Sequence, residues 1–206
     1  DLAAFYEEFG GAVLSTSINK YMYISSHRFF EEDKIRTKYS ITETVDNVEA
    51  LKHPILKEAL KLTGIKGGIE ISSIADVPSG TGMGSSSSFT VGVLHNLYAY
   101  TNQFVSKEQL AHQACEIEIG KLGEPIGKQD QYAAAYGGLN VIEFHKDGRV
   151  SVLPIHLSKD TSHQLESDLL MFYVGNQRKA SDILSEQKKN TKQADKVKTL
   201  QEMVSL

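Results

Sequence analysis

The stretch Pro78-Ser79-Gly80-Thr81-Gly82-Met83-Gly84-Ser85-Ser86-Ser87-Ser88 constrains this chain more than any other. It comes after a strand-like run, Ile69 to Ala75, and opens a helix-like one that reaches Tyr100. Glycines at such a junction let the backbone turn tightly and come close to a ligand. The free N–H groups at the start of the next helix present partial positive charge to an anion. The pattern predicts a phosphate-holding turn between a strand and a helix, with serine hydroxyls as further donors and one of them able to reach a metal ion.

The common phosphate loops do not fit it. No lysine comes after the last glycine, which excludes the pattern G-x-x-x-x-G-K-S/T, and Gly80-x-Gly82 is succeeded by Gly84 and Ser85 rather than by the spacing of the dinucleotide loop. Pro78, Gly82, Met83, Gly84, Ser85, Ser86, Ser87 and Ser88 do match, position by position, the nucleotide loop of the GHMP kinases, the superfamily of galactokinase, homoserine kinase and mevalonate kinase, which this chain resembles. A second segment, Gly123-Glu124-Pro125-Ile126-Gly127-Lys128-Gln129-Asp130-Gln131-Tyr132 with Tyr136-Gly137-Gly138, is similar to the catalytic segment of the sugar kinases in that superfamily.

The resemblance implies a two-layer α+β fold, that of the GHMP-kinase N-terminal domain and of a related ribosomal protein domain. It would span residues 1–165 and bind nucleotide and sugar. Residues 166–206 would then begin a ferredoxin-like C-terminal domain. It also implies ATP and Mg2+ as cofactors, with the nucleotide phosphates on Pro78, Gly80, Thr81, Gly82, Met83, Gly84, Ser85, Ser86 and Ser87. Asp130 would lie beside the hydroxyl that is phosphorylated. Phosphoryl transfer needs in-line positioning, neutralisation of charge on the γ-phosphate and a group that takes the hydroxyl proton. A carboxylate suits that last task, and Lys128 would favour its charged form if the lysine side chain turned inward.

Between the two segments, Ser106 and Gln109 form a capping-box signature ahead of a helix from Ser106 to Gly120. Leu110, Ala114, Ile117 and Leu122 keep to the helical repeat and face the core. By the resemblance, Glu118 and Ser86 would hold the magnesium, with Glu116 the competing carboxylate one turn away. Asp1-Leu2-Ala3-Ala4-Phe5-Tyr6 with Phe9-Gly10-Gly11 is similar to the segment directly after the family's sugar-binding motif. This makes Asp1, Gly10, Gly11, Lys128 and Gln129 candidate acceptor residues. The chain then starts within a motif and stops before the family's late glycine-rich one, as a fragment would. Gly127 to Asn140 and Arg178-Lys179-Ala180-Ser181-Asp182-Ile183-Leu184 are most similar to the heptose 7-phosphate kinases, which phosphorylate the anomeric hydroxyl to give a 1,7-bisphosphate in bacterial nucleotide-heptose synthesis. In that case Arg178 would meet the phosphate already on the sugar. Another sugar kinase of the superfamily, such as one acting on fucose, or a non-catalytic nucleotide- or sugar-binding regulator, remain the alternatives.

The resemblance implies small-molecule partners, a sugar phosphate and ATP, and composition is consistent with this without pointing to it. The net charge is −4, and the lysines between 188 and 198 are interleaved with Asn, Gln and Asp, so no basic stripe could track a nucleic acid. No apolar run approaches the length of a membrane span. The single cysteine, Cys115, excludes an intrachain disulfide, falls on the core side of its helix and fits a cytoplasmic setting. A homodimer is compatible with all of this. The seven histidines form no H-E-x-x-H or Cys/His ligand spacing, and Gly84-Ser85-Ser86 lacks the second glycine of a hydrolase elbow. Further strands are expected from Ala12 to Ser17, Tyr21 to His27 and Leu169 to Val174, a hairpin from Asn140-to-His145 with Val150-to-Pro154 across Asp147-Gly148, and a helix from Ala180 to Leu206.

Overall fold

The computed structural model describes residues 1–172 and 194–204. Two antiparallel-rich sheets carry the chain. One takes β1 (Gly11–Thr16), β6 (Leu139–Phe144) and β7 (Val150–Pro154) in the order β1-β6-β7. The other takes β2 (Met22–Arg28), β3 (Ile35–Lys38), β4 (Thr42–Val45) and β5 (Ile69–Ala75) in the order β2-β5-β3-β4, with β3 and β5 parallel. The hairpin expected across Asp147-Gly148 is β6–β7, whose register pairs Phe144 with Val150.

Each sheet has its own apolar layer. Under β2-β5-β3-β4, Ile35, Ile69 and Ile71 pack against α2 (Pro54–Thr63) and α3 (Ser85–Tyr100) through Leu56, Leu60, Leu94 and Leu97, all 2% exposed or less. Under β1-β6-β7, Ile142 and Phe144 meet Tyr6 of α1 (Ala3–Phe9) and Tyr132 of α5 (Gln129–Tyr136). The helix α4 (Lys107–Cys115) serves both layers. Leu110 and Ala114 enter the first core, while Ala111 and Cys115, each one position further round, enter the second. Its start is capped as expected, with the Ser106 hydroxyl accepting from the Gln109 N–H at 3.1 Å.

The helix predicted to run on to Gly120 widens instead. Residues Glu116–Lys121 form a π-helical turn, marked by the Leu122 N–H donating to the Ile117 carbonyl at 2.9 Å. Such turns are frequent at functional sites. Here Ile117 and Glu118 are buried together, at 2% and 1% exposure, although they are adjacent in sequence.

Helix α6 (Lys159–Asp168), capped by Ser158, lies where the sequence pattern predicts no element, and residue 165, the expected domain division, falls inside it. The strand expected over 169–174 is absent from its described part: Leu169, Leu170, Met171 and Phe172 form no ladder and are exposed. Without a paired neighbour, an apolar run has no sheet to join. Residues 173 and 174 and Arg178 lie outside the described residues. Of the final predicted helix, α7 (Ala194–Val204) is described. No helix among the described residues is long and apolar enough to cross a membrane.

Candidate active site

The predicted loop and the predicted aspartate meet. Gly84 takes φ +66° and ψ 25°, a left-handed conformation that favours glycine, and it begins α3. A Cβ built on Gly84 would stand 3.4 Å from the carboxyl carbon of Asp130, in ordinary contact, so the loop and that side chain lie side by side. No side chain caps α3 and its first turn holds no acidic residue, which leaves its leading amides and the positive end of the helix dipole open to an anion. The loop is folded on itself where the Thr81 hydroxyl donates to the Pro78 carbonyl at 3.1 Å.

Asp130 and the loop residues Gly82, Met83, Gly84, Ser85 and Ser88 line one cleft of about 500 Å3, a size usual for small ligands. Its other walls are the β1–β2 connection from Ser15 to Met22, one face of α3 at Val91, Gly92 and His95, and Ala133 and Ala134 of α5. No local pattern in the sequence places that connection or His95 at the site. Asp130 opens onto the cleft, yet the groups around it strip away enough water to push its carboxyl above the ordinary value of 3.8. Lys128 does not offset this burial. Its ammonium donates to the Gly148 carbonyl at 2.7 Å, turned towards the β6–β7 hairpin and not inward as the expectation required.

Helix α5, which carries Asp130, is held from two sides. Glu108 on α4 accepts the phenol hydrogens of Tyr132 at 3.0 Å and Tyr136 at 2.9 Å, and burial with that acidic neighbour pushes the Tyr136 phenol up to about 12. At its amino end the Asp1 carboxylate accepts the Gln129 N–H at 2.5 Å, while Gly127 packs so closely that any Cβ there would overlap Asp1. Asp1 and Gln129 thus stand together beside Asp130. Gly10 and Gly11 do not line the cleft; they close α1 and start β1, with Gly11 under the Tyr6 side chain. Pro78, Gly80 and Thr81 also stay outside the cleft wall, the first two exposed and Thr81 half-buried.

Behind the loop lies a buried polar cluster. Glu118 is 1% exposed and accepts from Ser86 Oγ at 3.3 Å, Ser87 Oγ at 3.0 Å, Gln131 Nε2 at 2.6 Å and the Thr90 hydroxyl. The π turn aims Glu118 here and leaves Glu116 exposed, so the geometry favours the first of the two candidate carboxylates. Ser87 was expected to face phosphate, but its hydroxyl, 3% exposed, is spent on Glu118 and only its backbone amide remains for an anion. Thr90 and Gln131 join the cluster without any predicted role. The i, i+4 spacing of Ser86 and Thr90 on α3 is the signal that could have found the first of them.

The donor set fits magnesium. Ser86 Oγ and Glu118 Oε1, 3.3 Å apart, are close to the roughly 3 Å edge of an octahedron with metal–oxygen distances near 2.0–2.1 Å. Among the described residues no group of three or more His, Cys, Asp and Glu gathers as a ready cage. The remaining ligands would then be phosphate oxygens and water, which is how Mg2+ usually binds.

Residues 48–138 match the family model described as the GHMP kinases N terminal domain. A Campylobacter jejuni protein named D-glycero-alpha-D-manno-heptose 7-phosphate kinase is 38% identical over 109 residues, 53% of this chain and 32% of its own length. A galactokinase of Pyrococcus furiosus is 29% identical over 192 residues, 87% of this chain and 52% of its own. The chain therefore spans between a third and about half of the length of these two relatives. Among solved structures, a D-glycero-D-manno-heptose 1-phosphate kinase from Bacteroides thetaiotaomicron superposes with a TM-score of 0.75 at 26% identity, covering 81% of this chain and 58% of that one.

Proposed function

From a chain that carries a GHMP kinase N-terminal domain over residues 48–138, we propose an ATP- and Mg2+-dependent sugar kinase whose acceptor is the anomeric hydroxyl of a heptose 7-phosphate. The observation that carries the reading is the meeting of the uncapped amino end of α3 with the Asp130 carboxylate across Gly84. The first would receive the nucleotide phosphates and the second the acceptor hydroxyl, which brings donor and acceptor to one point of the cleft.

Phosphoryl transfer asks mainly for alignment and charge stabilisation. The amides of Ser85, Ser86 and Ser87 face developing negative charge on the phosphates. Asp130 accepts the hydroxyl proton as the oxygen attacks. Its raised pKa makes it a better proton acceptor while it remains a carboxylate. Asp1, tied to the Gln129 amide one residue before Asp130, would hold neighbouring sugar hydroxyls. Ser86 and Glu118 would hold Mg2+, which when bound would neutralise phosphate charge. The 38% identity to a protein named as a heptose 7-phosphate kinase supports the acceptor.

The test is ADP release from ATP and Mg2+ with heptose 7-phosphate offered beside galactose and fucose. Turnover on the heptose phosphate, lowered by about 100-fold or more in Asp130→Asn with nucleotide affinity retained, is the expected result. Turnover on a neutral sugar alone would overturn the acceptor, and equal loss of turnover and nucleotide affinity in Asp130→Asn would make Asp130 a structural residue.

A further inference from the structure

The Glu118 cluster contains one residue that the proposed reaction leaves without a part. Gln131 is fully buried, its Nε2 donates to Glu118 Oε2 at 2.6 Å, and its Oε1 has no partner. An orphaned buried acceptor is costly, and an apolar side chain of the same size would avoid it. At this position a glutamine therefore costs stability that its N–H bond to Glu118 must offset.

The acceptor sites of Glu118 give that bond a purpose. A carboxylate offers about four such sites, two on each oxygen. Ser86 and Thr90 fill those on Oε1, and Ser87 and Gln131 those on Oε2. The Ser86 contact, at 3.3 Å, is longer than those of Ser87 and Gln131, and Ser86 is also the exposed member of the cluster. If Ser86 turns to an ion, it frees one site on Oε1 on the side facing the loop. Oε2 must then stay fixed, and its two donors come from different helices: Ser87 from α3 and Gln131 from α5, directly after Asp130. Gln131 is the only one of the four donors on the helix that carries the proposed base.

We infer that Gln131 is a positioning residue that locks the Glu118 carboxylate for metal-linked nucleotide binding and ties its placement to that of Asp130. This rests on the kinase reading above. Partners that orient a metal ligand typically govern metal affinity by about 10–100-fold. Gln131→Met keeps the volume and removes the donor. Gln131→Leu also removes the donor, with a stiffer apolar side chain, and serves if the Met variant does not fold.

The measurement is calorimetric titration of ADP into the protein with Mg2+ and with EDTA, beside a thermal melt. The parent should bind ADP more tightly with Mg2+. Either variant should lose that increment by about tenfold while its metal-free affinity stays the same. An unchanged Mg2+ increment in a folded variant would overturn the inference, and so would an equal fall in both affinities, which marks a merely structural role. A parent that binds no ADP under either condition would instead overturn the kinase reading itself.

Discussion

Thr90→Val tests the buried cluster through stability alone. Thr90 is fully buried, and valine matches its shape, so no cavity opens and β-branching in the helix is preserved. What disappears is one hydroxyl, replaced by a methyl group, and with it one hydrogen-bond donor. The hydroxyl lies within reach of both Glu118 and the Ser86 carbonyl, the latter at 3.0 Å, and it can serve only one at a time. If it donates to the carboxylate, the lost bond is a charge-assisted one worth about 1.5–3 kcal/mol. For a chain of this size, about 2 kcal/mol corresponds to a melting temperature lower by about 4–8 °C. If it donates to the Ser86 carbonyl instead, removal relieves a back-bond that slightly destabilises a helix, and the sign reverses. Urea denaturation of Thr90→Val should lower the midpoint without altering the slope. In a Glu118→Gln background the same change should be milder by about 1 kcal/mol, because the acceptor is then neutral. A Thr90→Val protein as stable as the parent would refute the assignment of that proton to Glu118.

Asp130 gives a pH prediction. Its folded pKa is raised above 3.8, so the folded state binds the proton more tightly than the unfolded one, and this contribution to stability is lost as pH rises through the folded value. Asp130→Asn should therefore match the parent below about pH 3.8 and exceed it increasingly above, read from urea midpoints across the range. The acid limb of kcat/KM should likewise lie above the ordinary carboxylate value, and a limb at or below 3.8 would remove Asp130 as the base. Gly127→Ala should displace Asp1 from the start of α5 and raise KM for the acceptor by about tenfold or more, because any Cβ there overlaps Asp1; unchanged KM would separate Asp1 from acceptor binding.

The site is legible in the sequence where its geometry is local. The glycine at 84 announces a left-handed turn, and the serines after it announce a helix start, because both arise from the conformational limits of single residues. The placement of Glu118 over Glu116 is not legible. It depends on a π turn that shifts the helical phase, and no residue in Glu116-Ile117-Glu118-Ile119 signals one. The direction of Lys128 is also hidden, since a flexible side chain goes to whichever acceptor the fold brings near, here a hairpin carbonyl twenty residues away. Strands β3 and β4 escape sequence reasoning because each is four residues long with three consecutive polar residues, so no alternation shows, and the pairing of β3 with β5 and of β4 with β3 is invisible in the local pattern. The apolar run at 169–172 misleads for the converse reason, being strand-like in composition yet unpaired.

The two faces of α4 bear on how the molecule comes apart. Because Leu110 and Ala114 belong to one apolar layer and Ala111 and Cys115 to the other, neither sheet can shed its helices while the other keeps a complete core. Hydrogen exchange in β6 and β5 should then report one common opening free energy and not two, so the cleft between the sheets is lost in a single cooperative event.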